Sequence, residues 1–70
     1  MRRDVVTQVI LEYEDGAENF ATRFEAERFI AANLPELPRR ALLEDMQGNP
    51  RAVYEVVVDA VGNVELIDPA

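Results

Sequence analysis

The sequence predicts a small α+β domain of order β-β-α-α-β-β, with one four-stranded antiparallel sheet carrying its helices on one face. Three observations predict it. Residues 4–13 and 51–60 alternate apolar and polar side chains with the two-residue period of a strand. Each stretch is followed by a turn signal, Asp15-Gly16 or Val61-Gly62-Asn63. Between them, Thr22-Arg23-Phe24-Glu25 has the form of a capping box and opens a segment of helical period. A chain of 70 residues allows a single domain, residues 1–70.

In the first strand Val5, Thr7, Val9, Leu11 and Tyr13 share one face, and Val6, Gln8, Ile10 and Glu12 the other. A type I′ turn centred on Asp15-Gly16 pairs Glu14 with Ala17, Tyr13 with Glu18 and Leu11 with Phe20. That register gathers Leu11, Tyr13 and Phe20 on one face, as a core requires.

The helix is expected over 23–33. Ala26, Phe29, Ile30, Asn33 and Leu34 form its stripe, and Arg23–Glu27 and Glu25–Arg28 are spaced to pair outside. Phe24 lies opposite the stripe. It either covers the sheet edge beside Phe20 or stands exposed as an aromatic anchor for a partner. Leu34-Pro35 stops the helix, because a residue before proline avoids the helical region.

Pro38 suits the first turn of a second helix reaching Met46 or Gln47, burying Leu42, Leu43 and Met46, with Gly48 just past its end. Its charges run against the helix dipole: Arg39 and Arg40 sit at the positive end, Glu44 and Asp45 at the negative end. Gly48-Asn49-Pro50 is then a loop. In the strand over 51–60, Ala52, Tyr54, Val56, Val58 and Ala60 face inward, and Val53, Glu55, Val57 and Asp59 face outward. A three-residue turn, with Asn63 in the left-handed position, pairs Ala60 with Val64 and Val58 with Leu66, and residues 64–68 complete the sheet. No repeat is expected in the chain.

The composition narrows the function classes. Cys, His, Trp, Lys and Ser do not occur. Only Thr7 and Thr22 could act as hydroxyl nucleophiles, with no histidine beside them, so no enzyme and no catalytic residue is expected. Zinc and copper sites lack their usual ligands, and three glycines are too few for a phosphate-binding loop, so no metal or cofactor is expected. Glu12-Tyr13-Glu14-Asp15-Gly16 is acidic, but not in the register of a calcium loop. The longest apolar run, Phe29–Ala32, is far short of a membrane helix, and the start of the chain is not a signal peptide; a soluble, cytoplasmic protein is expected.

Fourteen Asp plus Glu against seven Arg give a net charge of −7. Direct nucleic-acid binding through Arg39, Arg40 and Arg51, with Arg2 or Arg3, is disfavoured by that field. The face turned away from the helices mixes aliphatics with carboxylates, which marks an interaction surface. The expected partner contacts are acidic at Glu12, Glu14, Asp15, Glu55, Asp59 and Glu65, and apolar at Val6, Ile10, Phe24, Val53, Val57 and Ile67. The function expected is a non-catalytic protein-binding module, a small acidic inhibitor or regulator whose carboxylates stand in for phosphates in a basic groove. The alternative is a structural or accessory protein that forms a homodimer through the same face. In size and acidity the chain resembles small phage-encoded inhibitors, anti-CRISPR proteins among them. That resemblance is of format only, without a shared motif.

Overall fold

The computed structural model describes residues 7–68. The elements are β1 (Thr7–Tyr13), β2 (Gly16–Phe20), α1 (Arg23–Asn33), β3 (Arg40–Asp45), β4 (Pro50–Val58) and β5 (Val64–Ile67). The strands lie in the order β2-β1-β3-β4-β5, with every neighbouring pair antiparallel. The α+β class holds, but among the described residues there are five strands and one helix, where four and two were expected. Val5 and Val6, expected in the first strand, lie outside the described residues.

The helix follows its capping box. Thr22 is extended (φ −132°, ψ 156°), and its Oγ1 accepts the Glu25 N–H at 3.1 Å. Leu34, at ψ 147°, ends the helix ahead of Pro35. Ala26 and Ile30 are fully buried, and they pack with Val9 and Leu11 of β1, Ala41 of β3 and Leu66 of β5. Phe29 packs against Phe20 and Tyr13, with ring centroids 5.2 and 6.0 Å apart.

The expected second helix over 38–47 is the main correction: residues 40–45 form β3, which pairs with β1 on one side and β4 on the other. As a strand, the segment places Ala41 and Leu43 opposite Leu11 and Val9 on the core face, and Leu42 opposite Ile10 on the other. It also sets Arg40 opposite Glu12, where the two charges pair. A helix would have held the same charges against its dipole. Cross-strand contacts outweigh the intrinsic helix preference of Arg, Ala, Leu and Glu, which a segment of six residues is too short to express by itself. Met46, expected in the core, is 61% exposed in the following loop.

Both predicted hairpins form, each with its register moved by two residues and its faces preserved. Glu14-Asp15 is the first loop; Tyr13 pairs with Gly16 and Val9 with Phe20. Neither loop residue has a positive φ, so the turn is not type I′. In the last hairpin Val58 pairs with Val64 and Val56 with Leu66. Gly62 takes the left-handed position at φ +90°, in place of Asn63, and Ala60 lies in the turn.

β4 shapes the sheet. Its first half pairs with β3 through Ala52–Tyr54 and its second half with β5 through Glu55–Val58. It thereby runs past the end of β3 and hands the sheet on to β5. β5 in turn packs against α1, which also contacts β1 and β2. The sheet therefore wraps the helix from both sides.

Candidate protein-binding surface

The sheet face away from α1 carries Gln8, Ile10 and Glu12 from β1, Arg40, Leu42 and Glu44 from β3, Val53, Glu55 and Val57 from β4, and Glu65 and Ile67 from β5. The expectation of this face omitted β3, and β3 changes its character. Ile10, Leu42 and Val53 lie side by side across three strands. Ile10 and Leu42 are only 7% and 3% exposed. Around them Arg40 Nε and Nη2 donate to Glu12 Oε1 and Oε2 at 2.8 and 3.1 Å, and Asn19 Nδ2 donates to Gln8 Oε1 at 3.3 Å. Ile10 and Leu42 are thus buried, and Ile10 is no accessible contact.

The β4–β5 half differs. Val53, Val57 and Ile67 are 50%, 37% and 38% exposed. Glu55 stands opposite Ile67, and Val57 opposite Glu65, so aliphatics and carboxylates alternate in both directions. Neither glutamate has an ion-pair partner among the described residues.

The six expected acidic residues do not assemble into one patch. Glu55 and Glu65 share this half-face. Glu14 and Asp15 form the exposed β1–β2 turn, with β3 standing between β1 and β4. Glu12 is held by Arg40, whose hydrogen bonds lower the glutamate pKa and raise that of the arginine. Asp59 builds its own loop.

That loop occurs twice. Asp45-Met46-Gln47-Gly48-Asn49 and Asp59-Ala60-Val61-Gly62-Asn63 share the pattern Asp-x-x-Gly-Asn, a short repeat that the sequence reading missed. Asp45 Oδ1 accepts from the backbone N–H of Gln47 and Asn49, both at 3.0 Å. Asp59 Oδ1 accepts from Val61 and Asn63 at 3.0 and 2.9 Å. In each loop the aspartate N–H donates to the asparagine carbonyl, and the glycine N–H donates to the aspartate carbonyl. Gly48 and Gly62 have φ +84° and +90°. The asparagine backbone N–H, with the other donors, holds each carboxyl below the usual aspartate range. Asp45 is itself buried, with Arg51 Nη1 at 3.7 Å.

Phe24 is 64% exposed. It does not cover the sheet edge beside Phe20. It stands on the opposite flank of α1, lining a groove of about 770 Å³ along β5 together with Glu27, Leu66 and Ile67. Arg28 lies 5.7 Å from the Phe24 ring centroid. Val6 is outside the described residues. Among the described residues no group of three or more acidic side chains is placed to hold a metal, and no helix is long and apolar enough to cross a membrane. No protein-family model, curated protein or solved structure matches this chain.

Proposed function

We propose that the chain is a non-catalytic protein-binding module, a small acidic inhibitor or regulator. It docks the β4–β5 half of its open face onto a basic, nucleic-acid-binding surface of a cytoplasmic partner. The observation that carries this reading is the alternation of exposed Val53, Val57 and Ile67 with Glu55 and Glu65. The aliphatics supply apolar area, and the carboxylates, without an ion-pair partner among the described residues, supply charge that a basic partner can neutralise. The net charge of −7 steers the approach. A homodimer through this face is the competing arrangement; it would bring the same glutamates of two copies toward each other.

The test is capture of binding proteins by the immobilised chain at about 0.1 and 0.5 M salt, where the Debye length falls to a few ångströms. The chain carrying Val53→Arg and Glu55→Arg serves as the comparison, with circular dichroism to verify its fold. The reading requires a captured protein whose nucleic-acid binding the wild-type chain competes away and the variant does not. Capture that survives both the variant and high salt overturns it. A dimer by light scattering that persists at 0.5 M salt and dissociates in the variant establishes the homodimer instead.

A further inference from the structure

We propose that the free edge of β2 takes up an extended, basic segment of a partner protein, which joins the sheet as a sixth strand with its cationic side chains over the cleft between Tyr13 and the end of α1. The proposal rests on the protein-binding reading above and adds a contact at the edge opposite β5, separate from the β4–β5 face.

Backbone parity shows which groups of the edge are open. β2 is an outer strand and pairs with β1 alone. The Arg39 N–H donates to the Glu12 carbonyl at 2.6 Å, so Glu12 directs its backbone groups toward β3, and Leu11 and Tyr13 direct theirs toward β2. The two-residue loop Glu14-Asp15 agrees, because such a loop closes on a hydrogen-bonded pair, here Tyr13 and Gly16. In β2, therefore, Gly16, Glu18 and Phe20 bond to β1, and Ala17 and Asn19 turn their N–H and carbonyl groups outward. These four groups have no hydrogen-bond partner among the described residues, and Gly16 to Asn19 are all exposed. The strand also contains neither the proline nor the lysine that commonly protects an edge.

The helix side of this edge fixes the chemistry of the occupant. Glu18 lies on that face, opposite Leu11. Beside it a cleft of about 380 Å³ is lined by Tyr13, Phe29 and Asn33 together with Asp15, Glu18 and Glu36. The three carboxylates make no hydrogen bond or ion pair among the described residues, and no basic residue lines the cleft. α1 ends there at Asn33 with no basic side chain in its last turn, so the negative end of its dipole adds to the field. The residue of an added strand that stands opposite Glu18 shares its face. Arg or Lys at that position lays its apolar stem toward the Tyr13 and Phe29 rings and carries its charge to the carboxylates. Alternate residues fall on the open face beside Ala17 and Asn19 and suit a β-branched side chain. A second copy of this chain fits poorly: a two-fold pairing that joins Ala17 of each copy to Asn19 of the other sets Glu18 directly against its own copy.

The probe is a capped seven-residue peptide of alternating valine and arginine, titrated into the ¹⁵N-labelled chain. Its control has the same charge, with alternate backbone amides N-methylated so that it cannot extend a sheet. Amide shifts are expected at residues 13–20 and 33–36, with slowed exchange at Ala17 and Asn19. The control is expected to bind about tenfold more weakly, through the lost backbone hydrogen bonds. Glu18→Gln with Glu36→Gln is expected to weaken the peptide about fivefold, through the lost charge. Absence of binding overturns the proposal. So does equal binding of the control, which indicates charge adsorption alone, or shifts centred on Val53 and Glu55. Concentration-dependent shifts at Ala17 and Asn19 without peptide, with a dimer by light scattering, overturn it in favour of self-pairing. Val53→Arg with Glu55→Arg leaves the β2 edge intact and is expected to bind the peptide undiminished, so the edge and the open face fail separately.

Discussion

The carboxylate of Glu27 accepts the backbone N–H of Leu66 at 2.8 Å, tying the outer flank of α1 to the edge strand of the sheet. It is a side-chain bond between residues 39 positions apart in sequence. A charge-assisted hydrogen bond to a partly buried backbone donor contributes about 1–2 kcal/mol. Glu27→Ala is expected to lower unfolding stability by that amount and to accelerate exchange of the Leu66 amide selectively. Unchanged exchange at Leu66, read by NMR, would show that the contact contributes nothing.

The two phenylalanines of α1 are expected to differ sharply. Phe29 packs against Phe20 and Tyr13, and Phe24 is 64% exposed. Phe29→Ala should cost about 3 kcal/mol through lost burial and a residual cavity. Phe24→Ala should stay within about 0.5 kcal/mol. Urea unfolding of the two variants decides it, and similar costs would contradict the placement of the helix faces.

Asp45 and Asp59 make stability depend on pH in one direction. Both carboxyls titrate lower in the folded chain than an ordinary aspartate because their charged forms accept loop hydrogen bonds. Their contribution is complete above the unfolded aspartate value of about 4 and is lost as pH falls through the lower folded values. Melting temperature should therefore drop on acidification below about pH 4. Asp45→Asn with Asp59→Asn should flatten that decline, and Asp45→Ala should be the costlier single change because its site is buried. An acid limb of unchanged steepness in the double variant would refute the assignment.

Tyr13 acts at the opposite end of the pH scale. Its hydroxyl is buried without a hydrogen-bond partner among the described residues, and desolvation, aided by Glu36 and Glu18, raises its pKa. A group whose folded pKa is raised contributes stability that is complete below the unfolded value, about 10, and lost as pH rises through the folded one. Tyr13→Phe should be at least as stable as wild type at pH 7 and should lose less stability above pH 10. Destabilisation at neutral pH would show that the hydroxyl has a partner.

The legible parts of the fold were those set by local chemistry. Thr22 with Glu25 and the Leu34-Pro35 stop marked both ends of α1, and the two-residue period assigned the faces of β1 and β4 even where the register was two residues off. Face assignment survives a two-residue shift because the side-chain period is two. The middle of the chain was misread because Ala41-Leu42-Leu43 is apolar on consecutive positions, a pattern compatible with a short helix or with a strand buried on both faces. The signal that separates them was the second Asp-x-x-Gly-Asn. Asp45 to Asn49 repeats the loop of Asp59 to Asn63, so a hairpin there requires a strand ending at Asp45. Missing β3 had a direct consequence for the interaction surface: without Arg40 and Leu42, Ile10 and Glu12 looked available. The groove beside Phe24 depends on how β4 carries β5 back to the helix, a tertiary arrangement without local signature.

The same misreading supplies the sharpest test of β3. A helix over 38–47 would bury Leu42 and Met46 together, since they are four residues apart on one helical face. In the strand arrangement Leu42 is 3% exposed between Ile10 and Val53, and Met46 projects from the β3–β4 loop at 61% exposure. Leu42→Lys should therefore cost about 3 kcal/mol or more, from an unpaired charge forced among aliphatic neighbours. Met46→Lys should change stability by no more than about 0.5 kcal/mol, as at other open surface positions. Parallel urea unfolding of the two lysine variants separates the arrangements. A comparable loss at both positions would restore the helix, whereas a loss at Leu42 alone requires Met46 to lie outside the core, as β3 and its loop place it.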